Sequence, residues 1–218
     1  MISFAIFGAS GCGRGVLPLV RQQLQADLAE GLADLVFVDD MPPAPVINGH
    51  RVLTYRQWLD EPASSRRVNV AIANSQVRQN LVQRCAADDV RFFEVRAANV
   101  VQLDDVQLGE GAVLCPFVTL TSSIRIGHHF HANLYSYVEH DCVVGDYVTF
   151  APGVMCNGNV HIEDHAYIGA GAVIKQGQPG APLVIGRGAV VGMGAVVTSS
   201  IPPGVTVVGN PARSFIKN

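Results

Sequence analysis

The chain has 218 residues, 49% hydrophobic and 15% charged, with a formal net charge of -3, which fits one large or two small domains. The slight acidic balance and the lack of a dense Lys/Arg stripe exclude nucleic acid or an anionic membrane as the main partner. No run reaches the roughly 20 apolar residues of a membrane span, so the apolar content points to a large core and a buried subunit interface.

Met1 to Phe7 lacks a basic start and runs straight into glycines, so it reads as a first strand and not a signal peptide. A glycine loop follows, and then Leu17 to Leu28 with apolar residues at helical spacing. Leu35 to Val38 is a second strand ending in Asp39-Asp40. The Pro-rich turn Met41 to Pro45 precedes Val46 to Leu53, a marginal strand. Thr54 is placed to cap a short helix containing Trp58 and Leu59. Val68 to Ala73 is a third strand, Ser75 caps a helix through Cys85, and Val90 to Val95 is a fourth strand. This alternation predicts an α/β domain over residues 1–100, a small Rossmann-like parallel sheet with helices on its faces.

The loop Gly8-Ala9-Ser10-Gly11-Cys12-Gly13 follows a strand and opens a helix, where backbone N–H groups can face a phosphate. Asp39 closes the next strand, where a carboxylate can accept hydrogen bonds from sugar or ribose hydroxyls. The spacing is not the GxGxxG of dinucleotide folds, which favours a mononucleotide or nucleotide-sugar pocket. The competing reading is that the glycines only make a tight turn.

From about Val106 to Ile201 the chain counts in sixes. Every sixth residue from Leu108 to Ile174 lacks a charged or strongly polar side chain, and in the positions two before each only Ser136 is polar. Such a fixed hexad is the signature of a parallel β-helix of hexapeptide repeats. Alternate side chains of a strand face opposite ways, so one hexad makes one wall and three make an eighteen-residue coil. Residues eighteen apart therefore stack: Ser122, His140 and Gly158 along one corner, and His131, Thr149 and Tyr167 along another. Between Ile174 and Ile185 the register slips, and Gln176 to Pro182 is predicted to leave the coil as a loop. The repeat domain covers residues 101–218, including a C-terminal tail.

Five cysteines, Cys12, Cys85, Cys115, Cys142 and Cys156, fit no zinc spacing. Cys142 and Cys156 fall on inward columns, where a thiol acts as a small hydrophobe; reduced thiols in the cytoplasm are expected. A β-helix has no cleft of its own, so function needs an inserted loop or a groove between subunits, and apolar outward walls favour packing around a three-fold axis. His128, His129 and His131 read as solvated corner residues with no acidic or Cys set to complete a metal site. His161 and His165 read as surface residues, and His50 has no partner in sequence. His140 differs, because Glu139 and Asp141 flank it at a corner. An imidazole is the usual proton acceptor near neutral pH, and a neighbouring carboxylate can fix its tautomer. A solvated corner histidine is the competing reading.

The whole chain resembles the NeuD-like sugar acyltransferases of bacteria. That group includes sialic acid O-acetyltransferases and N-acetyltransferases of nucleotide-linked 4-amino-4,6-dideoxy sugars. The likeness is carried by Gly8-Ala9-Ser10-Gly11-x-Gly13, by Val36 to Asp40 and by Val138 to Asp146. Cys156 to Val160, Ile168 to Ala172 and Val208 to Arg213 extend it. It implies a left-handed β-helix and a homotrimer with active sites between subunits. Gly8, Ser10, Gly11, Cys12, Gly13, Asp39 and Asp40 would hold a nucleotide-linked amino sugar. Acetyl-CoA would lie in the intersubunit groove near Thr149, Asn157, Gly171, Gly192, Asn210 and Pro211. His140 would be the general base oriented by Asp141, and the Gly158 N–H would face the thioester oxygen; no metal is required. Cys12 and Thr149 stand where related chains often carry histidine. The expected activity is N-acetylation of such a sugar in surface-glycan biosynthesis. O-acetylation of a sialic-acid-type sugar and a non-catalytic nucleotide-sugar-binding scaffold are the alternatives.

Overall fold

The computed structural model describes residues 1–42 and 44–215. Pro43 of the proline-rich turn and the last three residues of the tail lie outside the described residues. Two compact units divide the chain, Met1–Arg96 and Ala97–Asn218.

The first unit runs β1 (Ile2–Phe7), α1 (Gly11–Gln23), α2 (Gln25–Ala29), β2 (Ala33–Val38), β3 (Val46–Ile47), β4 (His50–Leu53), α3 (Tyr55–Asp60), β5 (Ser65–Val70), α4 (Ser75–Ala87) and β6 (Arg91–Phe92). Its sheet order is β3-β4-β2-β1-β5-β6, and every neighbouring pair is parallel except β3 with β4. β1 is central and buried from Ser3 to Phe7, as a continuous apolar run in a parallel sheet should be. Trp58 is fully buried, and its indole N–H is satisfied by Ser3 Oγ at 2.7 Å, which removes the cost of burying that donor.

The helices and strands expected here are present with shifted ends. The third strand is Ser65–Val70, not Val68 to Ala73, and Val90 to Val95 breaks into the short strands Arg91–Phe92 and Val95–Arg96. Asn74, not Ser75, caps α4, because its side-chain oxygen accepts the N–H groups of Gln76 and Val77. Thr54 does cap α3: its Oγ1 accepts the Gln57 N–H at 3.3 Å while Gln57 Oε1 accepts the Thr54 N–H at 2.9 Å, a reciprocal capping box. Val46 to Leu53 is not one strand but a hairpin about Asn48-Gly49, whose positive φ values of 49° and 80° suit a tight two-residue turn.

The second unit is a stack of strands two or three residues long, paired in parallel at a spacing of eighteen through the coils that precede the insertion. Val113 pairs with His131, His131 with Thr149, and Thr149 with Tyr167. The two other walls repeat the pattern, as in Thr119 with Tyr137 and Ile126 with Val144. The inward residues form one continuous core from Leu114 to Val207. Inside it Phe130 and Phe150 meet edge to face at 5.2 Å. Ser136, the polar residue on an inward column, accepts the Val154 N–H at 3.2 Å and donates to the Ala151 carbonyl at 3.1 Å. Its burial therefore leaves nothing unsatisfied.

Three placements depart from expectation. His131, Thr149 and Tyr167 do stack, but on a wall strand and not along a corner. The corner column is instead His129, Tyr147 and His165, whose rings stack at centroid distances of 5.3 and 5.2 Å. Stacking leaves His129 only 2% exposed, so it is not a solvated corner residue. The slip after Ile174 is an insertion: Ile162 pairs with Ile185, so that coil holds five residues more than eighteen. The extra chain leaves as a loop in which Gln178 bridges Ala181. Among the described residues no helix is long and apolar enough to cross a membrane.

Phe150 is 1% exposed at the centre of the coil core. Phe150→Ala is expected to lower the stability of the second unit by about 3–5 kcal/mol, read from urea denaturation of that unit's transition.

Candidate active site

The corner at His140 is built from three stacked turns. Ser123, Asp141 and Asn159 occupy the third position of each, with φ of 58°, 58° and 55°, a left-handed conformation that Asp and Asn tolerate better than most residues. This twist lets the Asp141 carboxylate turn back on its neighbour, and Oδ2 lies 2.7 Å from His140 Nδ1. Both side chains are about half exposed, at 46% and 56%. The hydrogen bond to Asp141 raises the His140 pKa above its ordinary value, and the Glu139 charge adds to the effect. A neutral ring that donates from Nδ1 to a carboxylate leaves Nε2 as the proton acceptor.

Gly158 sits one coil further on and is needed there. A Cβ at this position would come within 2.6 Å of His140 Nε2 and Cε1, so the imidazole rests directly against bare backbone. The two turns are tied together by the Asn159 N–H donating to the His140 carbonyl at 2.9 Å. Among the described residues, no acceptor takes the Gly158 N–H. The inserted loop springs from the same corner, since the Gly177 N–H donates to the Gly158 carbonyl at 3.0 Å.

The other proposed cofactor residues are scattered. Asn157 is adjacent to Gly158, but its side chain is occupied internally. Nδ2 donates to the Ile174 carbonyl at 2.8 Å, and Oδ1 accepts the Tyr137 hydroxyl at 2.9 Å. Thr149 is only 6% exposed and lies half a coil from His140 on a different wall. Gly171 is a bare corner with φ 67° and open space around it, whereas Gly192 packs under Val208, whose Cγ1 would lie 2.7 Å from an added Cβ. Asn210 and Pro211 are exposed in the tail. Among the described residues, one shallow depression is lined by Lys175 to Gln178, Ala181 to Leu183 and Thr198 to Ser200, and another by Gln107 to Gly109, Arg125 to Gly127, Val143 and Val144. Neither includes His140.

In the first unit, Ser10 is the N-cap of α1 and Gly11, Cys12 and Gly13 form its first turn, so the helix starts inside the glycine loop. Gly13 is required by packing: a Cβ there would stand 1.7 Å from the Gly8 carbonyl oxygen. Gly8, at φ 112°, has the Ile72 side chain and the Ala71 carbonyl within 3.1 Å of an added Cβ. The Asp39 carboxylate braces this loop, accepting the Ala9 and Met41 N–H groups at 3.0 Å each. Asp40 is also engaged, accepting the Tyr55 N–H at 3.0 Å and pairing with Arg84. Both acidic residues thus shape the site through protein contacts. Burial raises the Cys12 thiol pKa, and the charge of Arg78 opposes it. Arg78 is fully buried and donates from Nη1 to the Ile72 carbonyl at 2.6 Å. A single arginine on a polar helix face gave no sequence signal of this, and Tyr137 was likewise invisible as the hydroxyl that holds Asn157. Among the described residues, no group of three or more His, Cys, Asp or Glu could hold a metal ion.

No family model matches the chain. The GDP-perosamine N-acetyltransferase of Escherichia coli O157:H7 is 50% identical over 212 residues, which is 97% of this chain and 96% of that protein. The chain belongs to the hexapeptide-repeat family of bacterial sugar N-acetyltransferases. Among solved structures of similar build, WeeI from Acinetobacter baumannii AYE has 57% identity and a TM-score of 0.95, with 99% of this chain and 100% of that one covered. The acetyltransferase domain of PglB from Neisseria gonorrhoeae FA1090, in complex with acetyl coenzyme A, has 26% identity and a TM-score of 0.82, with 98% of each chain covered.

The Asp141 carboxylate is the first cause of the raised His140 pKa. Asp141→Asn removes that charge and is expected to lower the His140 pKa, so the ring loses its proton at a lower pH. An NMR titration of the His140 ring protons in both proteins checks the sign.

Proposed function

We propose that this chain transfers the acetyl group of acetyl-CoA to the amino group of a GDP-linked 4-amino-4,6-dideoxy sugar, with His140 as the general base. The observation that carries the reading is the His140–Asp141 pair, 2.7 Å apart, resting on the bare backbone of Gly158. The nucleotide and sugar follow the protein half-identical to this chain, which is named for GDP-perosamine.

A bound thioester supplies an already activated carbonyl, so positioning, one base and an oxyanion donor suffice. As the sugar amine attacks the carbonyl carbon, His140 Nε2 takes its proton. The imidazolium that forms is stabilised by Asp141. The Gly158 N–H donates to the oxygen on which charge develops. When the C–S bond breaks, the proton on Nε2 passes to the leaving sulfur and the base is restored. No side chain is acylated and no metal takes part.

The nucleotide is assigned to the first unit. The Gly8–Ser10 loop lies at the carboxyl end of β1, which pairs with β2 on one side and β5 on the other. The chain reverses its direction of strand addition there, the place where open parallel sheets bind ligands. The thirteen-residue α1 starts at this loop and offers N–H groups to a diphosphate. In this reading the first unit is a reduced Rossmann-like fold, the coils wind left-handed, and three copies assemble so that acetyl-CoA lies between neighbouring coils. Exposed apolar residues on the coil, Val143, Met155 and Met193, support burial against a second copy. The free cysteines suit a reducing cytoplasm, where the step would serve surface-glycan assembly.

Incubation with acetyl-CoA and a panel of GDP-, UDP- and dTDP-linked amino sugars, followed by mass spectrometry, is expected to give an N-acetylated GDP-sugar. Acetylation only of sugar hydroxyls would replace this reading with O-transfer. His140→Ala is expected to lower kcat/KM by about 10²–10⁴-fold; near-wild-type turnover would remove His140 from the chemistry.

A further inference from the structure

Cys142 and Cys156 were expected to be small core hydrophobes, and both are buried, at 1% and 0% exposure. Their thiols nevertheless converge on one polar atom. Cys142 Sγ lies 3.3 Å and Cys156 Sγ 3.8 Å from the carbonyl oxygen of Asn157. That carbonyl belongs to the peptide bond whose N–H is Gly158. The bond is not among the cis peptides of the chain, so its C=O and N–H point in opposite directions. With the oxygen turned toward the buried thiols, the Gly158 N–H is turned away from them.

The peptide needs such a hold. Gly158 must lack a side chain to make room for His140, but a glycine offers no steric resistance to rotation of the peptide plane before it. Other groups of Asn157 are anchored: its N–H and its Nδ2 both reach the Ile174 carbonyl, at 3.3 and 2.8 Å, and Tyr137 holds its Oδ1. The plane between Asn157 and Gly158 is the part left to the thiols. Cys142 is also well placed to couple the two turns. It is the fourth residue of the His140 turn, in a column whose neighbours one coil away on either side are Ile124 and Val160. Neither neighbour carries a side-chain donor. The Cys142 sulfur also lies 3.7 Å from the His140 carbonyl oxygen, so the thiol sits between the backbone of the His140 turn and the first carbonyl of the Gly158 turn.

We infer that Cys142 is a positioning residue, whose thiol holds the Asn157–Gly158 peptide with its N–H toward the carbonyl being attacked. This rests on the reading of Gly158 as the oxyanion donor. Cys156 lies further from the oxygen and supports the same orientation.

Two substitutions separate positioning from packing. Cys142→Val matches Val160 in the same column and keeps the core filled but removes the donor. Cys142→Ser keeps a donor and an acceptor in a smaller side chain. Steady-state kinetics with acetyl-CoA and the acetylated GDP-sugar's precursor are expected to show C142V with kcat lowered roughly tenfold, less than the full loss of an oxyanion donor. KM for both substrates and the acid limb of the pH profile should be unmoved, and C142S should recover most of kcat. A C142V enzyme with wild-type kcat, or C142S as impaired as C142V, would show that the thiol only fills space. A shifted acid limb would show that it acts through His140 and would also overturn the inference. His140→Ala in the same assay separates the two levels. Full activity there sinks the proposed mechanism itself, whereas an inactive H140A beside a normal C142V sinks only the role of the thiol.

Discussion

Everything on the repeat unit depends on the backbone ladder that joins one coil to the next. Before the insertion each short wall strand pairs with the strand eighteen residues later, through bonds such as Thr121 N–H to the Val138 carbonyl and Glu139 N–H to the Cys156 carbonyl. No single strand of two residues could fold alone; it exists because a coil on either side satisfies its polar groups. The ladder also fixes the height of every corner. His140 and Gly158 share an edge because residues eighteen apart have no other place to go. The fixed spacing of His140 and Gly158 is thus inherited from a repeating structural lattice.

Much of that lattice could be read from the chain. The inward columns have to be apolar, and the period of six is short enough to recur many times, so chance alternatives die out. His140 stood out because carboxylates flank it at a computable corner. Features set by a neighbouring coil were harder to see. His129 looked solvated at its position in the hexad, but Tyr147 one coil away stacks on its ring and buries it. Cys142 looked like filler because its hexad position is inward, and what it meets, the Asn157 carbonyl, depends on how a turn one coil away is folded. Thr149 falls on a wall because the corner lies two hexad positions earlier, at Tyr147.

The first unit shows the opposite balance. Its strands and helices were legible from apolar runs and caps, with ends displaced by a few residues. The chemistry near the glycine loop was less so. Asp39 and Asp40 were candidates for ligand contacts, and the structure shows them bonded to the Ala9, Met41 and Tyr55 N–H groups and to Arg84. An acidic pair closing a strand has the same sequence signature whether it faces a ligand or braces a neighbouring loop. Arg78 gave no warning at all, since a helix of low amphipathicity hides which of its charges is buried.

The insertion after Ile174 has a consequence for how such a chain can change. Five residues are added, yet strand pairing resumes with Leu183 to Ile185 on the same wall, Val190 and Val196 follow at the same spacing of twenty-three from Tyr167 and Val173, and the last coil closes in sixteen, with Val190 paired to Thr206. The added length leaves the coil at one corner, and the three walls on which Leu183, Val190 and Val196 pair are kept. What stands above the Gly158 turn is therefore a graft on the lattice, separable from the lattice itself. Its length and composition can change while His140 and the Gly158 backbone stay where they are.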